Sequence, residues 1–313
     1  MFQLFVAIAL YLVVSPIQPA ISLAELRPDT TAGGRPAAVR SAALSSQEVP
    51  PPQPKDSGRI GIETVSTAVA VLDWDSGQLM FQKNADEALS IASLTKLVTA
   101  LTVLDEQPDW NEEVEILPED DRIGDLPVLF PGERVTVRDL FNLSLVSSSN
   151  DGTAALARAT GLTEEQFAAR MNRTAVRIGM RNASFVEPTG LNPKNQASAG
   201  DVSRLIKAAL SRQEISETVL SPHYEFNSLD GSRHWVSNTD QLLDSFLTRK
   251  PFSFLGGKTG YLNEAGWCFG AAAMNGEGKR VVSVVLGAPS KEERFREVKR
   301  LLWWAFDAWE WSG

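Results

Sequence analysis

Ser93 and Lys96, within Ser90-Ile91-Ala92-Ser93-Leu94-Thr95-Lys96-Leu97, offer chemistry at helical spacing. Apolar Leu97, Ala100, Leu101 and Leu104 follow with a helical period, which places Ser93 at or near a helix start. Residues three apart share a helix face, so the amine stands beside the hydroxyl. A hydroxyl attacks only after a base has taken its proton, and a helix N-terminus favours the negative charge that develops. The pair is a candidate activated nucleophile. Alone it is weak, because average residue usage yields about one Ser-x-x-Lys by chance in a chain this long.

Two further motifs strengthen it. Ser148-Ser149-Asn150 is the only Ser-x-Asn and falls in a helix–helix turn, where the plain alternative is a helix cap. Lys258-Thr259-Gly260 is the only Lys-Thr-Gly and falls on a strand, where the alternative is a surface strand with a glycine bend. Gly260 would let a ligand or another backbone approach closely.

The elements that must hold these residues follow from the periodicity. Val65 to Leu72 is rich in β-branched residues, and a turn over Asp73 to Gly77 leads into Gln78 to Gln82, which reads as a hairpin. Helices are expected over Val137–Val146, Thr153–Thr160, Thr163–Met180 and Asp201–Ser211, with Ser147 to Gly152 halting the first of them. Strand-like runs return beyond Ser221, notably Ala265–Ala273 and Arg280–Leu286. A last helix, Glu292–Trp311, puts Phe295, Val298, Leu302, Ala305 and Trp309 on one face. Strands at both ends bracket a helical middle, so the fold class is α+β: an antiparallel sheet of N- and C-terminal strands, flanking helices, and a helical subdomain inserted between the sheet halves.

Bulk properties narrow the function. The chain has 313 residues, 43% hydrophobic, enough for a large core. A net charge of −9 argues against a nucleic-acid binder. One cysteine and two histidines exclude an internal disulfide and make a Cys/His metal site a poor expectation, so no metal or cofactor is expected. Cys268, in an apolar strand-like run, reads as an inert buried thiol. The tryptophans at 303, 304, 309 and 311 read as core packing with a frayed end rather than membrane contact.

Phe2 to Ile17 is nearly all apolar, and Ser22-Leu23-Ala24 supplies the small residues of a secretory cleavage site. The segment is a signal peptide cut after Ala24, or an anchor giving loose membrane association; no Lys or Arg precedes it. Residues 25–60, rich in Pro, Ala and Ser, read as a disordered tether, and 61–313 as the folded domain.

The three motifs occur once each, in the order known for penicillin-binding proteins and class A β-lactamases, with Ser149 where Ser-Asp-Asn has its Asp. Around them, Gly179-Met180-Arg181-Asn182, Phe185-Val186-Glu187-Pro188-Thr189-Gly190-Leu191 and Lys258-Thr259-Gly260-Tyr261-Leu262-Asn263 resemble the low-molecular-mass serine D-alanyl-D-alanine peptidases of bacterial cell walls. The resemblance spans about residues 62–290. The Phe185–Leu191 segment and Ala265-Gly266-Trp267-Cys268 look most like the penicillin-binding-protein-7-type endopeptidases, as does a chain that ends soon after the catalytic domain.

The resemblance implies a β-lactamase/DD-transpeptidase-like fold and acyl transfer through Ser93. Lys96 accepts its proton, and so must shed its own near pH 7, well below the roughly 10.4 of a free amine; burial and a nearby cation such as Lys258 act in that direction. Ser148 relays the proton to the departing amine, Asn150 holds the substrate amide, and Lys258 and Thr259 bind a substrate carboxylate. Gly260 completes the third motif, and the backbone N–H groups of Ser93 and Tyr261 form the oxyanion hole. The implied partners are peptidoglycan stem peptides, with β-lactam antibiotics as covalent inhibitors. A simple carboxypeptidase is the main rival. A β-lactamase is another, since Glu187-Pro188-Thr189-Gly190-Leu191-Asn192 resembles its Glu-x-x-Leu-Asn with one residue too many, and a non-catalytic sensor is a third.

Overall fold

The computed structural model describes residues 49–55, 62–122 and 127–312. The expected leader or anchor over 1–24, and the tether up to residue 48, lie outside the described residues.

The expected hairpin is formed by β1 (Ala68–Asp73) and β2 (Leu79–Lys83). Three long strands from the far end of the chain, β3 (Ser253–Leu262), β4 (Gly266–Met274) and β5 (Arg280–Ala288), complete one sheet. Its order is β3-β4-β5-β1-β2 and every neighbouring pair is antiparallel. The two ends of the chain meet where β1 lies beside β5, with Val69 opposite Val285 and Val71 opposite Ser283. All of β1 is buried because both faces of the sheet are covered. Ala68, Ala70 and Leu72 enter one core, while Val69 and Val71 enter the other. That is why the strand reads as an unbroken apolar run rather than an alternation.

One face carries α7 (Lys291–Ala308), which packs through Phe295, Val298, Leu301, Leu302 and Ala305. The helix stops three residues before the expected Trp311. Trp309–Glu310 is extended and pairs with Gln53–Pro54, at the far end of the stretch that reads as tether. Trp304 and Trp309 are buried, whereas Trp303 is half-exposed.

The opposite face carries α1 (Thr95–Asp105) and α5 (Ala199–Leu210), with α2 (Val137–Val146), α3 (Asn150–Arg158), α4 (Glu164–Arg177) and α6 (Gln213–Val219) around them. Helix α2 has the expected bounds and starts with a reciprocal cap between Thr136 and Asp139. Helix α3 begins three residues earlier than expected. The Ser149 hydroxyl accepts from the Gly152 N–H at 3.0 Å and caps it, so the polar run that reads as a break is largely a helix start. Helix α6 is an addition, short and held by Ile215 and Val219. Among the described residues no helix is long and apolar enough to cross a membrane.

Candidate active site

Ser93 does not lie in α1 itself but in a 3-10 turn, Ala92–Leu94, that leads into it. Ala92 adopts φ 47°, a left-handed conformation unusual for a residue with a side chain, immediately before the nucleophile candidate. Such outliers concentrate at functional sites, where the surroundings over-determine them.

Lys96, in the first turn of α1, is fully buried. Its Nζ lies 3.0 Å from Ser93 Oγ, 2.7 Å from Asn150 Oδ1 and 2.7 Å from the carbonyl oxygen of Thr189. The Thr189 carbonyl is held by a loop wound around one carboxylate. Glu187 accepts from Thr189 N (2.7 Å), Thr189 Oγ1 (2.5 Å), Gly190 N (2.7 Å) and Asn195 Nδ2 (2.8 Å). Gly190 follows at φ 86°, packed against the backbone of Ala92 and Ser93.

The second motif straddles the start of α3. Ser148, at φ 64°, faces the cleft, whereas Ser149 turns inward as the cap and donates to Asp151. An Asp would also serve as a cap at this position, which accounts for tolerance of the departure from Ser-Asp-Asn. Asn150 turns its Oδ1 toward Lys96, an arrangement in addition to the expected contact with a substrate amide.

The third motif lies in β3, an edge strand of the sheet. Lys258 is buried, and its Nζ reaches the carbonyl oxygen of Thr259 at 3.2 Å. The hydroxyls of Thr259 and Thr239 are 2.7 Å apart. At Gly260 a Cβ would stand 2.9 Å from Ile91 O and 3.1 Å from Ser93 N, so only glycine lets the strand run past the Ser93 turn. Tyr261 is half-exposed and its ring stacks on Trp267 at 4.0 Å.

Ser93, Ser148, Asn150, Thr259, Gly260 and Tyr261 all line one cleft of about 620 Å³. Lys96 and Lys258 are buried beside these residues in the chain and fold, so the eight expected positions converge. The Cys268 thiol is buried and pushed up to about 11 by that burial, in keeping with an inert role.

Other residues belong to the site without a motif to announce them. Arg294, near the start of α7, lines the cleft and donates from Nη1 to the carbonyl oxygen of Gly260 at 2.9 Å. Its guanidinium lies over the Trp267 ring, and burial pulls it down to about 10. The available signal was its place on the apolar face of α7, one turn before Val298. Thr239 and Asp240 had no comparable signal. Among the described residues no cluster of three or more metal-ligating side chains occurs.

Comparison with known proteins shows the family and the fold. A family profile described as D-alanyl-D-alanine carboxypeptidase matches residues 55–290. The chain is 29% identical to the D-alanyl-D-alanine carboxypeptidase DacF of Bacillus subtilis over 249 residues, 78% of this chain but 62% of that protein. It is 31% identical to a D-alanyl-D-alanine endopeptidase of Pseudomonas aeruginosa over 260 residues, 81% of each. Among solved structures it resembles penicillin-binding protein D2 of Listeria monocytogenes in its cefotaxime-bound form, with a TM-score of 0.67 and 30% identity over 79% of this chain and 99% of that one.

Proposed function

The chain belongs to the D-alanyl-D-alanine carboxypeptidase family, and from that premise we propose that it is a serine D-alanyl-D-alanine peptidase acting on peptidoglycan stem peptides. The observation that carries the reading is the set of contacts at Lys96 Nζ. Two of its partners, Asn150 Oδ1 and Thr189 O, can only accept, while Ser93 can also donate. In the neutral form that the reaction requires, two N–H groups serve the acceptors and the lone pair faces the Ser93 hydroxyl.

The steps follow from that arrangement. Ser93 Oγ attacks the carbonyl carbon of a D-Ala residue as its proton passes to Lys96. The N–H groups of Ser93 and Tyr261 hold the oxyanion. Collapse breaks the C–N bond, and the proton moves from Lys96 through the Ser148 hydroxyl to the departing amine. Asn150 orients the donor amide, while Lys258 and Thr259 hold the carboxylate of the departing residue; Gly260 keeps their strand close. Water then attacks the ester, giving up a proton to Lys96, and Ser93 Oγ recovers one as it leaves. In a β-lactam the broken amide lies within a ring, so the leaving amine stays tethered and the ester persists.

Cleavage of D-Ala cross-links is the favoured activity, supported by the endopeptidase-like segments around Phe185–Leu191 and Ala265–Cys268. Removal of a terminal D-Ala is the second reading, favoured by the family's own description. The apolar run Phe2–Ile17 supports export to the periplasm, with loose membrane association where that segment is retained. A β-lactamase reading finds no support at Glu187, because both its oxygens are taken up by its own loop.

The test offers cross-linked muropeptide dimers and pentapeptide monomers to the purified protein and to Ser93→Ala, with products read by mass spectrometry. Dimer cleavage supports the endopeptidase, and loss of only a terminal D-Ala supports the carboxypeptidase. No product from either substrate, or an active Ser93→Ala, refutes the assignment.

A further inference from the structure

An acid that this mechanism does not use lies behind the Lys258-Thr259-Gly260 strand. Asp240 follows Thr239, the residue paired with Thr259, and is only 4% exposed. Its Oδ1 accepts from Leu242 N at 2.8 Å and caps the short 3-10 turn Gln241–Asp244. Its Oδ2 is buried without a hydrogen-bond partner. That oxygen abuts β3, since a Cβ at Gly257 would stand 2.9 Å from it and 2.8 Å from the Ala271 Cβ. The strand therefore lacks a side chain just where the carboxyl lies, one residue before Lys258. The cations that act on Asp240 are Lys258 from β3 and Arg294 from α7. Neighbouring β4 contributes the Cys268 thiol, neutral at pH 7, and Asp244 on the same turn is exposed. A cap needs one oxygen, and Ser or Asn supplies it as well as Asp does. Capping thus leaves the second, buried oxygen unexplained.

We propose that Asp240 is a positioning residue for the anionic end of the substrate, setting the charge that Lys258 and Arg294 together present to a carboxylate in the cleft. This rests on the reading of Lys258 and Thr259 as the carboxylate-binding pair. Protonated, Asp240 adds no charge beside the two cations. Ionised, it places a negative charge behind them and weakens their hold on an anion. Burial pushes its carboxyl up to about 7 against the opposing pull of the Leu242 N–H and the two cations, so the change falls in the neutral range. The sign follows: KM for a carboxylate substrate rises as pH rises through that range, with a smaller effect on kcat.

Asp240→Asn keeps the capping oxygen and the shape but cannot ionise, and Asp240→Ser keeps the cap with a smaller side chain. With purified full chain, KM and kcat are measured from about pH 5.5 to 8.5 on a peptide ending in D-Ala-D-Ala and on its C-terminal amide. Second-order labelling by a fluorescent penicillin, itself a carboxylate, is followed over the same range. Because the Ser93–Lys96 pair contributes its own pH dependence to every protein, the readout is the ratio of wild type to variant. For the free acid the KM ratio rises about fivefold, on the order expected for a single buried charge, and for the amide it stays flat. A ratio flat for both substrates, or rising equally for the amide, overturns the proposal. If neither peptide is hydrolysed while penicillin still labels Ser93, the carboxypeptidase reading fails by itself. The penicillin ratio then decides the role of Asp240, since a pH-independent ratio for both variants refutes it.

Discussion

Gly190→Ala tests whether the backbone beneath the nucleophile is a rigid wall. The new Cβ would stand 2.1 Å from Ala92 O, 2.5 Å from Ala92 C and 3.0 Å from Ser93 N. All three are backbone atoms, so no side chain can swing aside, and restoring ordinary contact takes about 1 Å of movement. Part of that movement falls on Ser93, whose N–H is a proposed oxyanion donor. The residue must also adopt φ +86°, which costs an L-residue about 1–2 kcal/mol. Gly231→Ala separates the two effects. It imposes φ +93° with nothing within 4 Å of the new Cβ, so it carries the conformational cost alone. The expected result is a stability loss of about 1–2 kcal/mol for Gly231→Ala with wild-type acylation. For Gly190→Ala a further loss is expected, with acylation slowed about 100-fold, the usual consequence of a misplacement near 1 Å. Urea unfolding gives the first quantity and the second-order rate of penicillin labelling the second. A Gly190→Ala protein that labels at the wild-type rate would show that the close packing against Ala92 and Ser93 does not hold the nucleophile in place.

Glu187→Ala strands the N–H groups of Thr189 and Gly190 and the Asn195 amide in a buried loop, so a loss of about 3–5 kcal/mol in urea unfolding and a marked fall in penicillin labelling are expected together. Ser149→Ala removes the α3 cap at a cost of about 1 kcal/mol by the same measurement, with labelling within a few-fold of wild type, whereas Ser148→Ala is expected to slow labelling strongly with little change in stability. The folded-state value of Asp240, about 7, exceeds that of an unfolded Asp, so the native state holds the extra proton and loses stability as pH rises from the ordinary carboxylate range through 7. Asp240→Asn is therefore expected to gain on wild type by up to about 4 kcal/mol between pH 4 and pH 8, read from the difference in urea midpoints; an unchanged difference would contradict the assigned ionisation.

The parts of the site that were legible in the sequence are those whose partners are close along the chain. Ser93 and Lys96 are three residues apart, so helical spacing alone brings them within 3.0 Å. Lys258 to Gly260 is a continuous run in one strand, and both hairpin strands of the N-terminal half announce themselves by composition. Long-range partners carry no such mark. Thr189 meets Lys96 through a backbone carbonyl, which any residue type supplies, and Asn150 reaches the same amine from 54 positions away. Arg294 is one of several arginines in α7, distinguished only by its helix face. Serine and asparagine both break and cap helices, which is why the start of α3 was ambiguous. The Gln53–Pro54 pairing is two residues long, too short for any periodicity to register.

Glu187 brings these threads together. In the sequence it reads as a rival catalytic acid or base, set in a segment that nearly matches a β-lactamase pattern. In the fold its oxygens gather the N–H groups of the residues that follow, and the carbonyl of one of those residues fixes Lys96. Its contribution to chemistry is therefore positional and passes through the lysine. A carboxylate so engaged has no oxygen to spare for activating water, and in the mechanism proposed above Lys96, hydrogen-bonded to Ser93 itself, serves both acylation and hydrolysis. One base doing both tasks suits a substrate whose leaving amine diffuses away. It suits a β-lactam poorly, because the tethered amine stays beside the ester and obstructs the water, and slow release of penicillins is the consequence expected of this arrangement.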